Sequence, residues 1–469
     1  MPRFITSSEY PGGQLIHDRS SGGPEDDLLS SVDVAEVVDQ PGEDLLSTAA
    51  VLRYCKFRIL RPYTRLLATM GLRPLTFEPT ESRCLSILGH LHLVQALVFM
   101  CMGYLLQRDR GFCYKAKPTF ALSAADVVKS HEKVCYGSLM FSYVLPSLLH
   151  MAGYVYALWL FRIRQNEQLQ NLMERAFLLS SGPNNAPSSQ RHLVRILWLF
   201  IGLSIVWVSL SLVAVSVMML DGTVIFQWLE QSIIKYYSSY NININLTINS
   251  KGYLFGSTFA LKIALKLLLL LSTLWHDMVQ ATITASYCLQ SQLLTSHLHF
   301  LRKKLLQHSL QPLAFMREIN EFQNLLEYLN EELAPAVCIF TVVNLSWASA
   351  GLMWIFNYDF VDKDTHPIIV VSVLNVVLWI LASIAPFIQA ARLTSACEKT
   401  KRLGHDIRVR PFVYLDTPSE DLDAVLLFTS SLHMQAKLFQ VPISKRYLCL
   451  LLAGAGITIL TLGQCHVFQ

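Results

Sequence analysis

The sequence predicts an all-α polytopic membrane protein with seven transmembrane helices. Of its 469 residues, 52% are hydrophobic and only 15% are charged, whereas soluble domains carry about 25% charged residues. The apolar residues gather in seven windows, each near the roughly 20 residues that a membrane helix needs. These windows are 86–107, 136–161, 194–220, 253–279, 335–357, 367–391 and 447–468. Helices are expected because each helix satisfies its own backbone polar groups in hydrocarbon.

The residues before the first window divide into two parts. Residues 1–45 are rich in Gly, Ser, Pro, Asp and Glu, which predicts a disordered tail, and they contain no apolar core typical of a signal peptide. Residues 46–85 form a basic juxtamembrane segment. It is either an amphipathic helix on the membrane surface or a solvated linker. We therefore expect the seven-helix membrane domain to occupy residues 86–468.

The connections after the second, fourth and sixth windows are long, at about 162–193, 280–334 and 392–446. Within 280–334, leucines recur at Leu294, Leu298, Leu301 and Leu305, which is the spacing of one helix face. This pattern predicts helical cytoplasmic extensions at about 280–334 and 392–446. A solvated linker that happens to contain leucines is the alternative.

Two features of the loops predict the orientation. The long loops and the segment before the first helix carry clusters of Lys and Arg, which the positive-inside rule assigns to the cytoplasm. The loop at 221–252 holds a glycosylation sequon at Asn245, which requires that loop to be extracellular. The first outer loop, 108–135, disagrees because it is also basic. We predict a cytoplasmic N-terminus and an extracellular C-terminus, a topology opposite to that of a G-protein-coupled receptor.

The ten cysteines show no metal-binding spacing. Cys113 and Cys135 lie at the two ends of the first outer loop, where they form either a disulfide or two free thiols. A net charge of +4 without a basic aromatic patch gives no reason to expect a nucleic-acid partner. We expect no metal and no cofactor.

The last window contains polar residues, which is typical of a pore-lining helix. The candidate pore-lining residues are Thr458, Thr461, Gln464, Cys465 and Phe468. One helix supplies only one stripe of a polar path, so symmetric copies must supply the rest. The alternative is that these small polar groups hold helices together, as Ser and Thr often do in membranes.

Three other windows place polar and aromatic residues on single helix faces. The candidate ligand-binding residues are Tyr143, His150 and Tyr154 in the second window, Asn344, Trp347 and Trp354 in the fifth, and Asn375 and Trp379 in the sixth. Apolar walls with a few hydrogen-bonding groups suit a small-molecule pocket. Amides beside indole rings favour a sugar. Packing between helices is the alternative for each residue taken singly.

The seven windows, this orientation and the polar end of the chain resemble the insect chemoreceptor superfamily, and within it the gustatory receptors. Those receptors carry TYhhhhhQF in helix 7, where h is hydrophobic. Here Thr458 and Gln464 match, Ile459 replaces the tyrosine, Cys465 replaces the phenylalanine, and the spacer is one residue shorter. The resemblance implies a plasma-membrane, tetrameric, ligand-gated, nonselective cation channel for a small tastant. Four copies of helix 7 would line its central pore.

Three other classes of protein remain as alternatives, one of them a seven-helix receptor like the G-protein-coupled receptors, which the predicted topology opposes. A transporter often shows inverted repeats and broken helices, and a membrane enzyme needs an acid–base or nucleophile cluster. Neither pattern stands out, so we do not expect an enzyme. His276-Asp277 is interpreted as a pair with satisfied polar groups rather than a catalytic one. Lys262 and Lys266, one turn apart in the fourth window, are interpreted as snorkelling or as facing a wet cleft, with a ligand contact as the alternative.

Overall fold

The structure is a computed structural model that describes residues 53–74, 83–107, 113–115, 133–135, 140–163, 169, 172–176, 188–220, 250–307, 310–356, 366–408 and 418–467. The chain divides into two units, Met1–Leu46 and Ser47–Gln469. All of the described residues belong to the second unit.

Helices make up most of the described chain. In order they are α1 (Arg61–Thr69), α2 (Arg83–Gln107), α3 (Leu145–Leu158), α4 (Ser188–Leu220), α5 (Ser250–Leu306), α6 (Pro312–Tyr328), α7 (Ala334–Phe356), α8 (His366–Lys401), α9 (Leu403–Arg408), α10 (Ser419–Ser431) and α11 (Lys445–Val467). Turns of wider, π-helical geometry precede α1 (Lys56–Leu60), flank α3 (Met140–Val144 and Trp159–Ile163) and join α6 to α7 (Leu329–Leu333). The all-α prediction misses two short antiparallel hairpins, β1 (Cys113–Lys115) with β2 (Lys133–Cys135) and β3 (Lys437–Leu438) with β4 (Val441–Pro442).

Five helical stretches among the described residues are long and apolar enough to cross a membrane. They are Ile87–Leu106, His192–Val217, Ile263–Leu306, Pro312–Met353 and Ile369–Lys401. The sequence predicts seven such membrane-spanning helices. The window at 136–161 contains α3, which is only 14 residues long between its two π-helical turns. The last window contains α11, in which side chains are described only as far as residue 457. The chain is thus a mostly helical, multi-pass membrane protein.

The centre of the helical unit is formed by α5, α7 and α8, which contact one another, while α2 and α4 pack on α5 and α3 packs on α7. Outward faces of the peripheral helices are apolar and exposed, as Leu91 and Val98 on α2 and Leu199 and Leu203 on α4 illustrate. An exposed apolar face is what a helix presents to lipid chains. These outward faces are therefore suited to contact lipid around a core made of the three central helices.

The helix α5 continues without a break well past the fourth window, and α6 runs through a π-helical turn into α7. The leucines whose spacing predicts helix after residue 280 all lie buried on α5, at Leu294, Leu298, Leu301 and Leu305. Phe322 and Leu326 of α6 are buried as well. These residues form a packed helical region rather than a solvated linker.

Within the basic segment before α2, the described residues 53–74 are mostly helical, and their apolar side packs against protein. Leu67 and Ala68 of α1 are buried, whereas Arg61 and Arg65 are exposed. The Tyr63 hydroxyl lies 2.5 Å from the Ser286 hydroxyl of α5. The structure thus shows a packed helix, where the sequence left open a membrane-surface helix or a solvated linker.

The turn after α1 is fixed by α3. Gly71 has a φ of +78°, a conformation that side chains with a Cβ rarely adopt. The Tyr154 hydroxyl donates to the Met70 carbonyl over 2.8 Å, and Arg162 donates to the Gly71 carbonyl over 3.3 Å. Tyr154 is therefore engaged in holding the chain between α1 and α2.

A tight hairpin anchors the start of α11. Phe439 and Gln440, the two loop residues between β3 and β4, both have positive φ, at 53° and 62°, as the favoured two-residue hairpin turn requires. The Phe439 amide donates to the Cys338 sulfur of α7 over 3.2 Å. The Ala436 amide donates to the Thr394 hydroxyl of α8 over 3.1 Å. The hairpin that precedes α11 is thus bonded to the two central helices α7 and α8.

Candidate functional site

Three ring side chains from three helices meet in the interior. The Tyr104 hydroxyl of α2 and Nδ1 of His150 of α3 lie 2.5 Å apart, within hydrogen-bond distance. The Tyr104 ring stacks on His276 of α5 with centroids 4.5 Å apart. Nε2 of His276 lies 3.3 Å from the Met100 carbonyl, an acceptor, so this nitrogen carries the proton. Both histidines are buried, at 0% and 2% exposure.

One nitrogen of this group has no hydrogen-bond partner. His150 donates or accepts through Nδ1, but its Nε2 is buried without a partner. Leaving a buried polar atom unsatisfied costs about 1–3 kcal/mol. Such an atom is suited to bind a polar group of a ligand that enters beside it.

Aromatic residues of α7 and α8 extend the group on one side. Phe340 and Trp347, seven residues and so two turns apart on α7, both face His150, with ring centroids 5.1 Å and 6.2 Å away. Trp379 of α8 lies 5.8 Å from Trp347, centroid to centroid. The result is an aromatic wall beside the unpaired imidazole nitrogen.

Buried amides lie near the same wall. Gln280 of α5 donates through Nε2 to Oδ1 of Asn344 of α7 over 2.5 Å, and both residues are at most 1% exposed. Asn344 lies one turn from Trp347 on the same face of α7. Asn375 of α8, one turn before Trp379, is also buried, and its Nδ2 has no partner. The site therefore offers amide groups as well as rings.

Two glycines allow the helices to come this close. A Cβ at Gly103 of α2 would lie 2.9 Å from the His276 ring, and one at Gly153 of α3 would lie 3.0 Å from the Phe340 ring. Real Cβ atoms essentially never approach as closely as at Gly103, and the contact at Gly153 would be tighter than nine in ten real Cβ contacts. The small residues thus set the distance from α2 to α5 and from α3 to α7.

The structure brings together four of the predicted ligand residues, His150, Asn344, Trp347 and Trp379, and Asn375 lies one turn away from the last. The Tyr143 hydroxyl donates to the Tyr104 carbonyl, which joins Tyr143 to the edge of the group. By contrast, Tyr154 is bonded to Met70 at the α1 turn. Trp354 lies on α7, but its side chain is outside the described part of the chain.

Four members of the site were not predicted from the sequence, namely Tyr104, His276, Phe340 and Gln280.

On sequence alone, His276 and its neighbour Asp277 are interpreted as a pair, but the two side chains point to different helices. Asp277 accepts from the Ser211 hydroxyl of α4 over 2.7 Å, while His276 faces α2. Polar groups of both are satisfied, as predicted, through separate partners. The spacing of residues within one helix does not indicate which residue of another helix they will contact. These contacts therefore could not be predicted from the sequence.

The predicted pore-lining residues lie at the end of α11. Thr458, Thr461, Gln464 and Cys465 fall within this helix, but their side chains are outside the described part, and Phe468 is beyond it altogether.

The lysines of the fourth window lie on α5. The side chain of Lys262 is outside the described part of the chain. Lys266 donates from Nζ to the Met219 carbonyl of α4 over 3.3 Å. The sequon at Asn245 is also outside the described residues.

Within the described residues, no group of three or more His, Cys, Asp or Glu side chains could hold a metal ion. The two cysteines that the sequence leaves as either a disulfide or two free thiols are register partners across the β1–β2 pair, Cys113 opposite Cys135. Directly opposed residues of an antiparallel pair have Cβ atoms about 4.5–5.5 Å apart, which is near the range that a disulfide spans.

The buried amide pair gives a prediction about stability. We expect Asn344→Leu to lower the free energy of unfolding by about 1–2 kcal/mol, because the Gln280 amide loses its acceptor in a dry interior. Replacing both residues, as Gln280→Met with Asn344→Leu, should cost less than the single change. Denaturation of the purified protein in detergent measures the free energy of unfolding of the single and the double variant. Additive losses would contradict a direct bond between the two amides.

Neither a protein-family model nor a curated protein matches the sequence. Solved structures do match. The insect olfactory receptor OR5 from Machilis hrabei aligns with 88% of this chain and 99% of its own, with a TM-score of 0.54 and 11% identity. The same receptor in complex with eugenol aligns over 88% and 99%, with a TM-score of 0.47 and 9% identity.

The chain therefore has the fold of an insect olfactory receptor. That receptor belongs to the chemoreceptor superfamily that the sequence resembles, so the resemblance is confirmed at the level of the fold. The fold is that of a multi-pass membrane protein.

Proposed function

We propose that this chain is a subunit of a ligand-gated, nonselective cation channel of the gustatory type, opened by a small tastant in the plasma membrane. The observation that carries the proposal is α11. Residues 449–457 of this helix are all exposed, and most of them are apolar or small. Nine consecutive helical residues cover every face of a helix. In the single chain, α11 therefore has room for neighbours on all sides.

The composition of α11 supports packing against other helices. A Cβ on Gly454 or Gly456 would meet nothing within 4 Å, and Ala453 and Ala455 lie beside them. Small residues are enriched where membrane helices approach one another closely. A tetramer in which four copies of α11 surround an axis would use this exposed helix. Thr458, Thr461, Gln464, Cys465 and Phe468 would then line the polar path.

The fold offers a route from ligand to pore. Asn344, Trp347 and Trp379 of the candidate site lie on α7 and α8. The hairpin at the base of α11 is bonded to the same two helices, through Cys338 and Thr394. A ligand that binds one arrangement of α7 and α8 better than the other would shift the position of that base. We therefore assign the coupling between the ligand site and the pore to α7 and α8.

The ligand class that suits the site best is a sugar. The unpaired Nε2 of His150 and the amides of Gln280, Asn344 and Asn375 supply hydrogen bonds. The indole rings of Trp347 and Trp379 supply faces on which a pyranose can stack. Sites for small molecules combine such apolar walls with a few polar groups.

The remaining proposals concern topology. The N-terminus would be cytoplasmic and the C-terminus extracellular, across seven spans. Asn245 would then be available for glycosylation in an outer loop. The register of β1 and β2 supports a disulfide between Cys113 and Cys135 in an oxidising compartment.

Electrical recording tests the function. Cells expressing this chain alone are perfused with a panel of sugars and bitter compounds under voltage clamp. We expect at least one compound to evoke a cation current with a reversal potential near zero in mixed sodium and potassium. Flux of the compound itself, without channel-like conductance, would instead indicate a transporter.

Gln464 provides a test of the pore. We expect Gln464→Ala to change the ratio of sodium to potassium permeability or the open probability. An amide side chain that faces lipid is costly, so we assign the Gln464 amide to the water-filled pore. Surface labelling should show normal expression. Unchanged conductance and unchanged selectivity together would remove Gln464 from the pore lining.

A further inference from the structure

A cleft with strongly positive walls lies away from the candidate ligand site. It has a volume of about 230 Å³ and is lined by residues of α5 and α8 and by the first residue of α11. Four of the lining side chains are cationic, namely Arg302, Arg392, Lys399 and Lys445. These come from three basic clusters that are far apart in sequence.

The positive-inside rule explains why such clusters exist. It does not explain why they converge, since like charges brought together repel. None of the described residues that line the cleft is acidic. The Asp406 carboxylate of α9 accepts from Arg302 over 3.3 Å. Among the described residues, no ion pair involves Arg392, Lys399 or Lys445, so their charge is available to a ligand.

The donors in the cleft are suited to an anion with several oxygens. Nε of Arg302 is buried without a partner. A guanidinium binds the oxygens of phosphate in pairs, and an ammonium acts as a further point charge. The hydroxyls of Thr295 and Thr400 donate to carbonyls of their own helices, so the cations are the principal donors. Lys445 also begins α11, where the helix dipole adds positive potential.

The cleft lies where the apolar surface ends. On α8 an exposed apolar face that includes Leu381 and Ile388 gives way, one turn later, to Arg392. On α11 Lys445 is followed within two turns by exposed Leu450 and Leu451. A phosphate at the head of a lipid would lie at this depth. The cleft is smaller than the roughly 300–1,000 Å³ of sites for drug-sized ligands, which suits a compact group.

We propose that this cleft is a binding site for a phosphate group, carried either by an anionic membrane lipid or by a soluble phosphorylated compound. Because the cleft contacts both α8 and the first turn of α11, its occupant would hold these two helices together at the base of the proposed pore helix.

Binding to the purified full-length protein in detergent tests the proposal. The probe is a fluorescent dioctanoyl phosphatidylinositol bisphosphate, followed by anisotropy. The variant is Arg392→Gln with Lys399→Gln, which removes two lining charges and leaves the Arg302–Asp406 pair in place. The control is Lys401→Gln with Arg402→Gln, which removes two exposed charges from the same end of α8 without touching the cleft.

We expect saturable binding by the unchanged protein, about a tenfold loss of affinity in the cleft variant and less than about a twofold loss in the control. Elution profile and thermal midpoint check that both variants fold. If the double variant does not fold, Lys399→Gln alone, a change at an exposed residue, replaces it. Absence of saturable binding, or equal losses in variant and control, would overturn the proposal.

Competition identifies the source of the phosphate. If inositol trisphosphate or inorganic phosphate displaces the probe, the phosphate groups suffice and a soluble compound can occupy the cleft. If neither displaces it but the unlabelled dioctanoyl lipid does, the occupant is a membrane lipid. Either result supports the phosphate site, provided that the cleft variant loses affinity.

Discussion

Replacing Trp347 by Ala is expected to raise the half-maximal agonist concentration about 30- to 100-fold. Its ring forms the wall between His150 and Trp379, with centroids 6.2 Å and 5.8 Å away. Truncating an aromatic residue at the centre of a binding site commonly costs about 2 kcal/mol or more, and about 2–2.8 kcal/mol corresponds to a change of this size. The measurement is the dose–response curve of the evoked current, using the most potent compound of the panel.

Two further variants separate binding from folding. Trp198 of α4 is 42% exposed on the lipid-facing side, so Trp198→Ala should leave the curve unchanged. Trp347→Phe keeps an aromatic ring and should give an intermediate shift. Because Trp→Ala in a core costs about 3–5 kcal/mol of stability, surface expression is measured alongside. A dose–response curve for Trp347→Ala that overlays the unchanged protein would take this residue out of the ligand site.

Gly404→Val should have the largest effect on stability. A Cβ at Gly404 of α9 would lie 2.3 Å from the Thr429 hydroxyl and 2.9 Å from Cα of Leu426, both on α10. The second contact is with backbone, which cannot rotate away, and the two further methyl groups of valine would add to the overlap. We expect a loss of about 3 kcal/mol in the free energy of unfolding, measured by denaturation in detergent.

The matched control is Gly202→Val on α4, where a Cβ would meet nothing within 4 Å. Its free energy of unfolding should change by less than about 0.5 kcal/mol. If Gly404→Val proved as stable as Gly202→Val, then α9 and α10 would not be packed against each other as the structure shows.

The hydrophobic periodicity of the sequence predicts much of the fold. The apolar windows and the leucine spacing after residue 280 fall on helices, because the hydrophobic pattern of a helix is a property of the helix alone. Residues on one face could be grouped in the same way, so that Asn344 and Trp347 were correctly expected to lie side by side on one helix. Both belong to α7.

Contacts between helices could not be predicted in this way. Tyr104 stacks on His276 only because α2 crosses α5 at Gly103, and no pattern in either helix specifies that crossing. The positive-inside rule predicts that the basic residues Arg302, Lys399 and Lys445 are cytoplasmic, but their convergence on one cleft depends on how α5, α8 and α11 meet. Tyr154 shares a face with His150, yet its hydroxyl is bonded to Met70. Each of these outcomes follows from tertiary packing.

The central claim is that α11 joins its symmetry mates around an ion path. The most direct measurement is a cryo-EM map of the purified particle in a lipid nanodisc. We predict four copies of the chain, with the polar stripe of each α11 that carries Thr458, Thr461, Gln464 and Cys465 facing a common axial opening. A monomeric particle, or an oligomer whose copies of α11 touch only lipid at the periphery, would contradict this account.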